Sequence, residues 1–252
     1  MREVARVLYG SQNYGLDTPE SDRDYKVLMC PEFDDLYHGR KLEKAEMPYG
    51  CDYEHYSPMS IITFNNLLLK GNPNCIEKLF SVDITFTTDE LKVYFNVARA
   101  LYQEGYVALV MGEFCSALKG MALAPFGRKD ITSKSVARAA YFYGLMNDTI
   151  CKNGYRITER TWRNDSKYNQ KVREIRRGGY DHEQLAKVAA TIEDVFKPVR
   201  DAKLLTMEFI SENKERAREL RIMADAVNDE MHNVVSRAIR RELVYGKRGD
   251  AP

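Results

Sequence analysis

Leu8-Tyr9-Gly10-Ser11-Gln12-Asn13-Tyr14-Gly15-Leu16, with Ser21-Asp22-Arg23-Asp24-Tyr25-Lys26-Val27-Leu28-Met29 close behind it, decides how the rest of the chain is read. An apolar run, Val4 to Tyr9, stops at Gly10-Ser11 and another glycine follows at position 15. A strand that ends in Gly-Ser lets backbone approach a ligand closely and leaves amide groups free for a phosphate. Ser11 adds a hydroxyl donor to that cradle. Ten residues separate Ser11 from Asp22. Asp22 and Asp24 stand two apart at the start of a second strand-like run, Tyr25 to Met29, so both carboxylates point to one face. Two carboxylates beside a phosphate cradle suit a pair of Mg²⁺ or Mn²⁺ ions, which sit about 3.5–4 Å apart and clamp an in-line displacement. Arg23, between them, points to the opposite face.

A third carboxylate on a neighbouring strand commonly completes such a site and can deprotonate an attacking hydroxyl. Asp52 and Glu54, both in the run Cys51-Asp52-Tyr53-Glu54-His55-Tyr56, are the candidates. Asp52 is favoured slightly over Glu54, and both are carried forward.

Outward from this segment the pattern changes once. Residues 1–86 hold short apolar runs broken by turn residues, with a charged connection from Pro31 to Lys44 read as irregular and a helix from Ile61 to Lys70 that stops at Gly71-Asn72-Pro73. Residues 87–252 read as helical almost throughout. Thr87 and Glu90 have capping-box spacing, as do Asp181 and Gln184; a further helix is expected from Ser133 to about Cys151, and Leu220, Met223, Val227, Met231, Val234 and Ala238 share one face of the last. The expectation is an α+β chain: a small mixed-sheet module over 1–86 and an all-helical domain over 87–252 that shapes an acceptor site.

The chain has 252 residues and a formal net charge of +1, which argues against a protein that coats nucleic acid over its whole surface. No uninterrupted apolar run approaches the roughly 20 residues needed to cross a bilayer, and the opening Met1-Arg2-Glu3 lacks the apolar core of a secretion signal. A cytoplasmic protein of a bacterium or phage-infected cell, without a membrane partner, is expected. Five cysteines and four histidines are scattered without close spacing, so reduced thiols and no His-based metal site are expected.

An apolar residue, Gly-Ser, about ten residues and then Asp-X-Asp within a strand resembles the DNA-polymerase-β nucleotidyltransferase superfamily. Tyr14-Gly15-Leu16, Thr18-Pro19-Glu20-Ser21-Asp22 and the run from Leu67 through Gly71-Asn72-Pro73-Asn74 to Phe80 are similar to its RNA-repair-associated branch, carried by bacteria and phages. The resemblance covers residues 7 to 81. It implies transfer of a nucleoside monophosphate from a nucleoside triphosphate, with release of pyrophosphate, and leaves the acceptor open. Asp22, Asp24 and Asp52 are then the metal ligands, Glu54 the other candidate, and Gly10, Ser11, Tyr14, Gly15, Lys70 and Asn72 the nucleotide-binding residues. On a later helix the branch has Lys, His and Arg; here Lys134 matches the first, while Arg138 and Tyr141 hold the other two positions.

The stretch from Lys152 to Arg177 is the clearest charge asymmetry, with Tyr155, Trp162 and Tyr168 interleaved among its basic residues. Such a surface neutralises phosphates and stacks unpaired bases. Arg163, Lys167 and Lys171, with Arg128, Lys129, Lys134 and Arg138, are candidate contacts to RNA or triphosphate. An RNA acceptor is the leading expectation. A defence-type transferase acting on tRNA, a protein or a small molecule is the second. A catalytically silent nucleotide- or RNA-binding protein is the third.

Overall fold

The computed structural model describes residues 1–40, 53–163, 166–196 and 202–245. Four strands form one mixed sheet in the order β3-β2-β1-β4: β1 is Arg2–Tyr9, β2 Arg23–Cys30, β3 Glu54–Ser60 and β4 Ile84–Phe86. β1 runs antiparallel to β2 and to β4, whereas β2 and β3 are parallel. The end of β1 and the starts of β2 and β3 therefore lie at one end of the sheet. Tyr9 pairs with Asp24, and Asp24 with His55, across three adjacent strands at that end.

The first two expected strands form, extended by one or two residues at their ends, while the third is shifted: Tyr53 lies in a turn and β3 runs from Glu54 to Ser60. Cys51 and Asp52 lie outside the described residues. β4 adds a short β-branched and aromatic strand that the sequence reading did not include. A helix, α2 (Phe33–Tyr37), forms inside the connection expected to be irregular. Its first turn carries Asp34 and Asp35, and the Glu32 amide donates to Asp35 Oδ2 at 3.0 Å, the arrangement that satisfies free donors at a helix start.

After α1 (Ser11–Tyr14), α3 (Ile61–Leu69) and α4 (Pro73–Leu79), every described element beyond β4 is helical. α5 (Asp89–Gln103) is capped by Thr88, one residue later than expected. Thr87 lies in the bend after β4, and its amide and hydroxyl both donate to Val4 O at 3.0 Å. The Asp181–Gln184 box forms as expected, with reciprocal bonds of 2.8 and 2.9 Å.

α6 (Val107–Gly127) spans 21 residues at a mean hydropathy of 1.5, which is long and apolar enough, by length and composition alone, to cross a bilayer. The expectation concerned uninterrupted apolar runs, and Glu113 and Lys119 interrupt this one. Its Met111, Phe114, Leu118 and Ala122 are buried, and it packs against α7 (Ser133–Asn147) and α11 (Ala202–Glu212) as a central core helix does.

α7 continues into a π-helical turn, Asp148–Lys152, and packs on α9 (Lys167–Arg176) and α10 (His182–Phe196). α8 (Glu159–Trp162) is one turn long. α12 (Lys214–Tyr245) lies along α5 and reaches α3. One hydrophobic cluster runs from Val4 of the sheet to Ala238 of α12, so the strand-rich and helical parts share a core across residue 86. The α+β architecture is as expected.

Candidate active site

Gly10 leaves β1 at φ 84° and ψ −151°, a backbone region essentially reserved for glycine. A Cβ there would also lie 3.4 Å from Asp24 Oδ2. The position is thus restricted both by torsion and by the nearness of a carboxylate. α1 makes a single turn and ends at Gly15, φ 68°.

That turn is held from beneath by one buried carboxylate. Glu77, on α4 and 1% exposed, accepts from Gly10 N at 2.7 Å, Asn13 Nδ2 at 3.2 Å and Tyr14 Oη at 2.6 Å. Burial pushes its carboxyl up, while Lys78 and these donors pull it down. The carbonyls at the other end of α1 are taken by guanidinium groups. Arg163 donates to Gln12 O at 2.9 Å and Asn13 O at 3.1 Å, and Arg173 to Gly15 O at 3.1 Å.

Ser11 and Asp24 open onto a cleft of about 240 Å³ that is also lined by Lys134 and Arg138 of α7 and Arg176 of α9. An adjoining hollow of about 320 Å³ shares Ser11, Asp24, Lys134 and Arg176 and adds Asp22. Asp24 thus shares its cleft with three cations, and Asp22 its hollow with two of them. Burial raises the Asp24 carboxyl above its ordinary range; His55 opposes this, Asp22 reinforces it, and Lys134 and Lys26 oppose it.

The same face of the sheet continues through Lys26, whose Nζ donates to Ser57 Oγ on β3. Burial first, then Lys78, draws the Lys26 ammonium down to about 8. Strand alternation also places Glu54, one of the two candidates for a third carboxylate. Glu54 pairs with Arg23, so it shares the opposite face, where it approaches Arg23 at 3.9 Å and accepts from Tyr56 Oη. It points away from Asp22 and Asp24. His55 occupies their face, with Nε2 3.7 Å from Asp22 Oδ2. The expectation placed no histidine here; the β2–β3 register, absent from any single strand's sequence, is what brings it in.

The remaining expected residues divide. Tyr14 lines the cleft, but its ring is packed against Tyr141 and Trp162, with centroids 4.7 and 6.0 Å away. Asn72 caps α4 by accepting from Asn74 N at 3.0 Å, Lys70 is exposed at the end of α3, and the turn's contribution to the cleft is Asn74. Arg128 and Lys129 are exposed at the end of α6, away from the cleft lining, and Arg128 Nε reaches Ala124 O at 3.4 Å. Lys167 and Lys171 are exposed on α9. Arg163 is engaged with α1.

No family model, curated protein or solved structure matches this chain. The site is therefore argued from its own residues. Among the described residues no three His, Cys, Asp or Glu side chains gather into a group that could hold a metal ion. The donor set on the rim is nevertheless all oxygen apart from His55: two carboxylates and a hydroxyl. Asp24 is partly desolvated beside a second carboxylate, a combination that a hard cation relieves. Oxygen donors of this kind fit Mg²⁺ or Mn²⁺.

Proposed function

We propose that the chain is a metal-dependent nucleotidyltransferase that moves a nucleoside monophosphate from a nucleoside triphosphate to an acceptor hydroxyl, with RNA the favoured acceptor. The observation that carries this reading is that Ser11 and Asp24 share a cleft with Lys134, Arg138 and Arg176, and that an adjoining hollow adds Asp22 to Ser11, Asp24, Lys134 and Arg176. The sequence pattern supports it independently.

In this mechanism Ser11 and the backbone after Gly10 seat the phosphates, and Glu77 fixes their position by holding the turn. Asp22 and Asp24 would hold Mg²⁺, which supplies charge neutralisation at the α-phosphate. Lys134, Arg138 and Arg176 bind the β- and γ-phosphates. As the acceptor oxygen bonds to the α-phosphorus, the bond to the bridging oxygen breaks and its electron pair leaves with pyrophosphate. The three cations stabilise that charge. The acceptor proton has His55 on the same face to receive it. Asp52, the other proposed base, lies outside the described residues. Under this reading the expected site of action is the cytoplasm, which holds nucleoside triphosphates.

The test is a transfer assay with each α-³²P-labelled nucleoside triphosphate, Mg²⁺ or Mn²⁺, and total RNA, run beside an Asp22→Asn, Asp24→Asn double variant. Label transferred to RNA by the wild type alone supports the reading and names the donor. Equal transfer by the variant, or none by either protein across all four donors, would sink it.

A further inference from the structure

A large cavity lies away from the catalytic cleft, in the helical part. It measures about 1,020 Å³ and is walled by the π-helical turn and the loop after it, by α8, and by α11 and α12. Its charges are unbalanced. Asp148 is paired with Lys152 at 2.6 Å, and Glu104 is paired with Arg216. Those are the carboxylates of the wall, and Arg156, Arg160 and Arg163 are left over.

Arg163 is spent on the carbonyls of Gln12 and Asn13. Arg156 and Arg160 are exposed and have no carboxylate partner among the described residues. A chain with a net charge of only +1 concentrates two uncompensated cations here. Tyr155 and Phe209, which meet edge to face at 5.7 Å, give the same wall an aromatic surface. Tyr155 sits at φ 65°, a strained torsion for a tyrosine, directly after Gly154 at φ 56°.

Unpaired guanidinium groups beside an aromatic face, in a space too large for one nucleotide, match what a single strand requires: charge for successive phosphates and a surface for an unstacked base. The geometry points to this cavity as the binding site for a single-stranded polynucleotide, with phosphates on Arg156 and Arg160 and a base against Tyr155. Arg163 joins it to the reaction centre, since it belongs to the cavity wall while holding the turn that carries Ser11. The strand's role as acceptor rests on the transferase reading above; its binding does not.

The experiment is fluorescence anisotropy of labelled oligouridylate and oligothymidylate of about 12 nucleotides, titrated with wild type, Arg156→Glu/Arg160→Glu and Asp22→Asn/Asp24→Asn. Both substituted arginines are exposed, and circular dichroism checks that the charge-reversed variant is folded. Binding of either oligomer by the wild type is expected, weakened on the order of tenfold or more by the arginine changes. Loss of two phosphate contacts should also flatten the dependence of log affinity on log salt by about 1.4. The Asp22→Asn/Asp24→Asn variant should bind as wild type does, so that intact binding with no wild-type transfer, or with transfer that survives the aspartate changes, sinks the transferase reading alone. The proposal is overturned if the arginine variant binds unchanged, if the wild type binds neither oligomer, or if the aspartate changes abolish binding. Inorganic tripolyphosphate binding as tightly as the oligomers would overturn it too, by marking a small-anion site.

Discussion

The Tyr14 hydroxyl donates to Glu77 Oε2 across 2.6 Å inside the core, joining residues 63 positions apart. Glu77 Oε1 meanwhile takes the amide of Gly10 and the side chain of Asn13. One carboxylate thus sets the height and tilt of the turn that presents Ser11. Its other neighbour, Lys78, is 2% exposed, donates to Asn74 O at 2.6 Å and stands 4.4 Å from the Tyr9 ring centroid. The floor of the cleft is a polar network closed off from water, and such networks are costly to open.

Glu77→Ala strands three donors and should lower stability by about 3 kcal/mol. Glu77→Gln keeps one acceptor oxygen and should cost about 1 kcal/mol. Thermal melts of the two variants check the order; equal melting temperatures would show that the network contributes little.

Asp24→Asn should separate stability from activity. Burial holds the folded Asp24 above its unfolded value, so the stability it contributes is full below the unfolded value and is lost as pH rises through the folded one. At pH 7 the substitution should therefore leave the melting temperature unchanged or raise it by about 2–4 °C. Transfer should fall on the order of a thousandfold. A variant that melts lower and still transfers would contradict both statements.

Glu54 and His55 differ by one position and by a whole face of the sheet. Glu54→Gln should keep transfer within about threefold, because the side chain faces Arg23 and Tyr56. His55→Ala should reduce the turnover number by on the order of a hundredfold. Steady-state kinetics of the pair distinguish them, and the reverse pattern would show that the strand register had been misjudged.

Arg176 enters the cleft from α9, the helix that also sends Arg173 to Gly15 O. Arg176→Ala should raise KM for the triphosphate by about ten- to a hundredfold, the value of one charge-assisted contact. Titration of the nucleotide against both proteins reads this directly.

Burial pushes the thiols of Cys30 and Cys75 up to about 11 and that of Cys115 to about 12. Thiolate is the reactive form. Iodoacetamide at pH 8 should therefore modify exposed Cys151 and spare these three until the chain unfolds, as peptide mapping would resolve. Because the folded values exceed the unfolded ones, the stability linked to these thiols is complete below about 9 and is lost as pH rises through 11 to 12. Cys→Ala variants should flatten that alkaline loss.

The α+β class and the change of pattern near residue 86 were legible in the sequence because they are local properties. Apolar runs between turn residues mark strands, and a 3.6-residue stripe such as Leu220 to Ala238 marks a helix. Gly10, Ser11 and the parity of Asp22 and Asp24 were legible for the same reason, since alternate residues of one strand share a face whatever surrounds them. The tertiary structure decided which face of β3 meets them. The parallel register sets His55 against Asp24 and Glu54 against Arg23, and register depends on two strands at once. It also decided the fates of Arg163, Arg173 and Arg176, which the sequence shows only as one basic stretch. Arg163, at the end of α8, takes the carbonyls of Gln12 and Asn13; Arg173 takes that of Gly15 and Arg176 enters the cleft, because the packing of α9 on α7 fixes where those two side chains end.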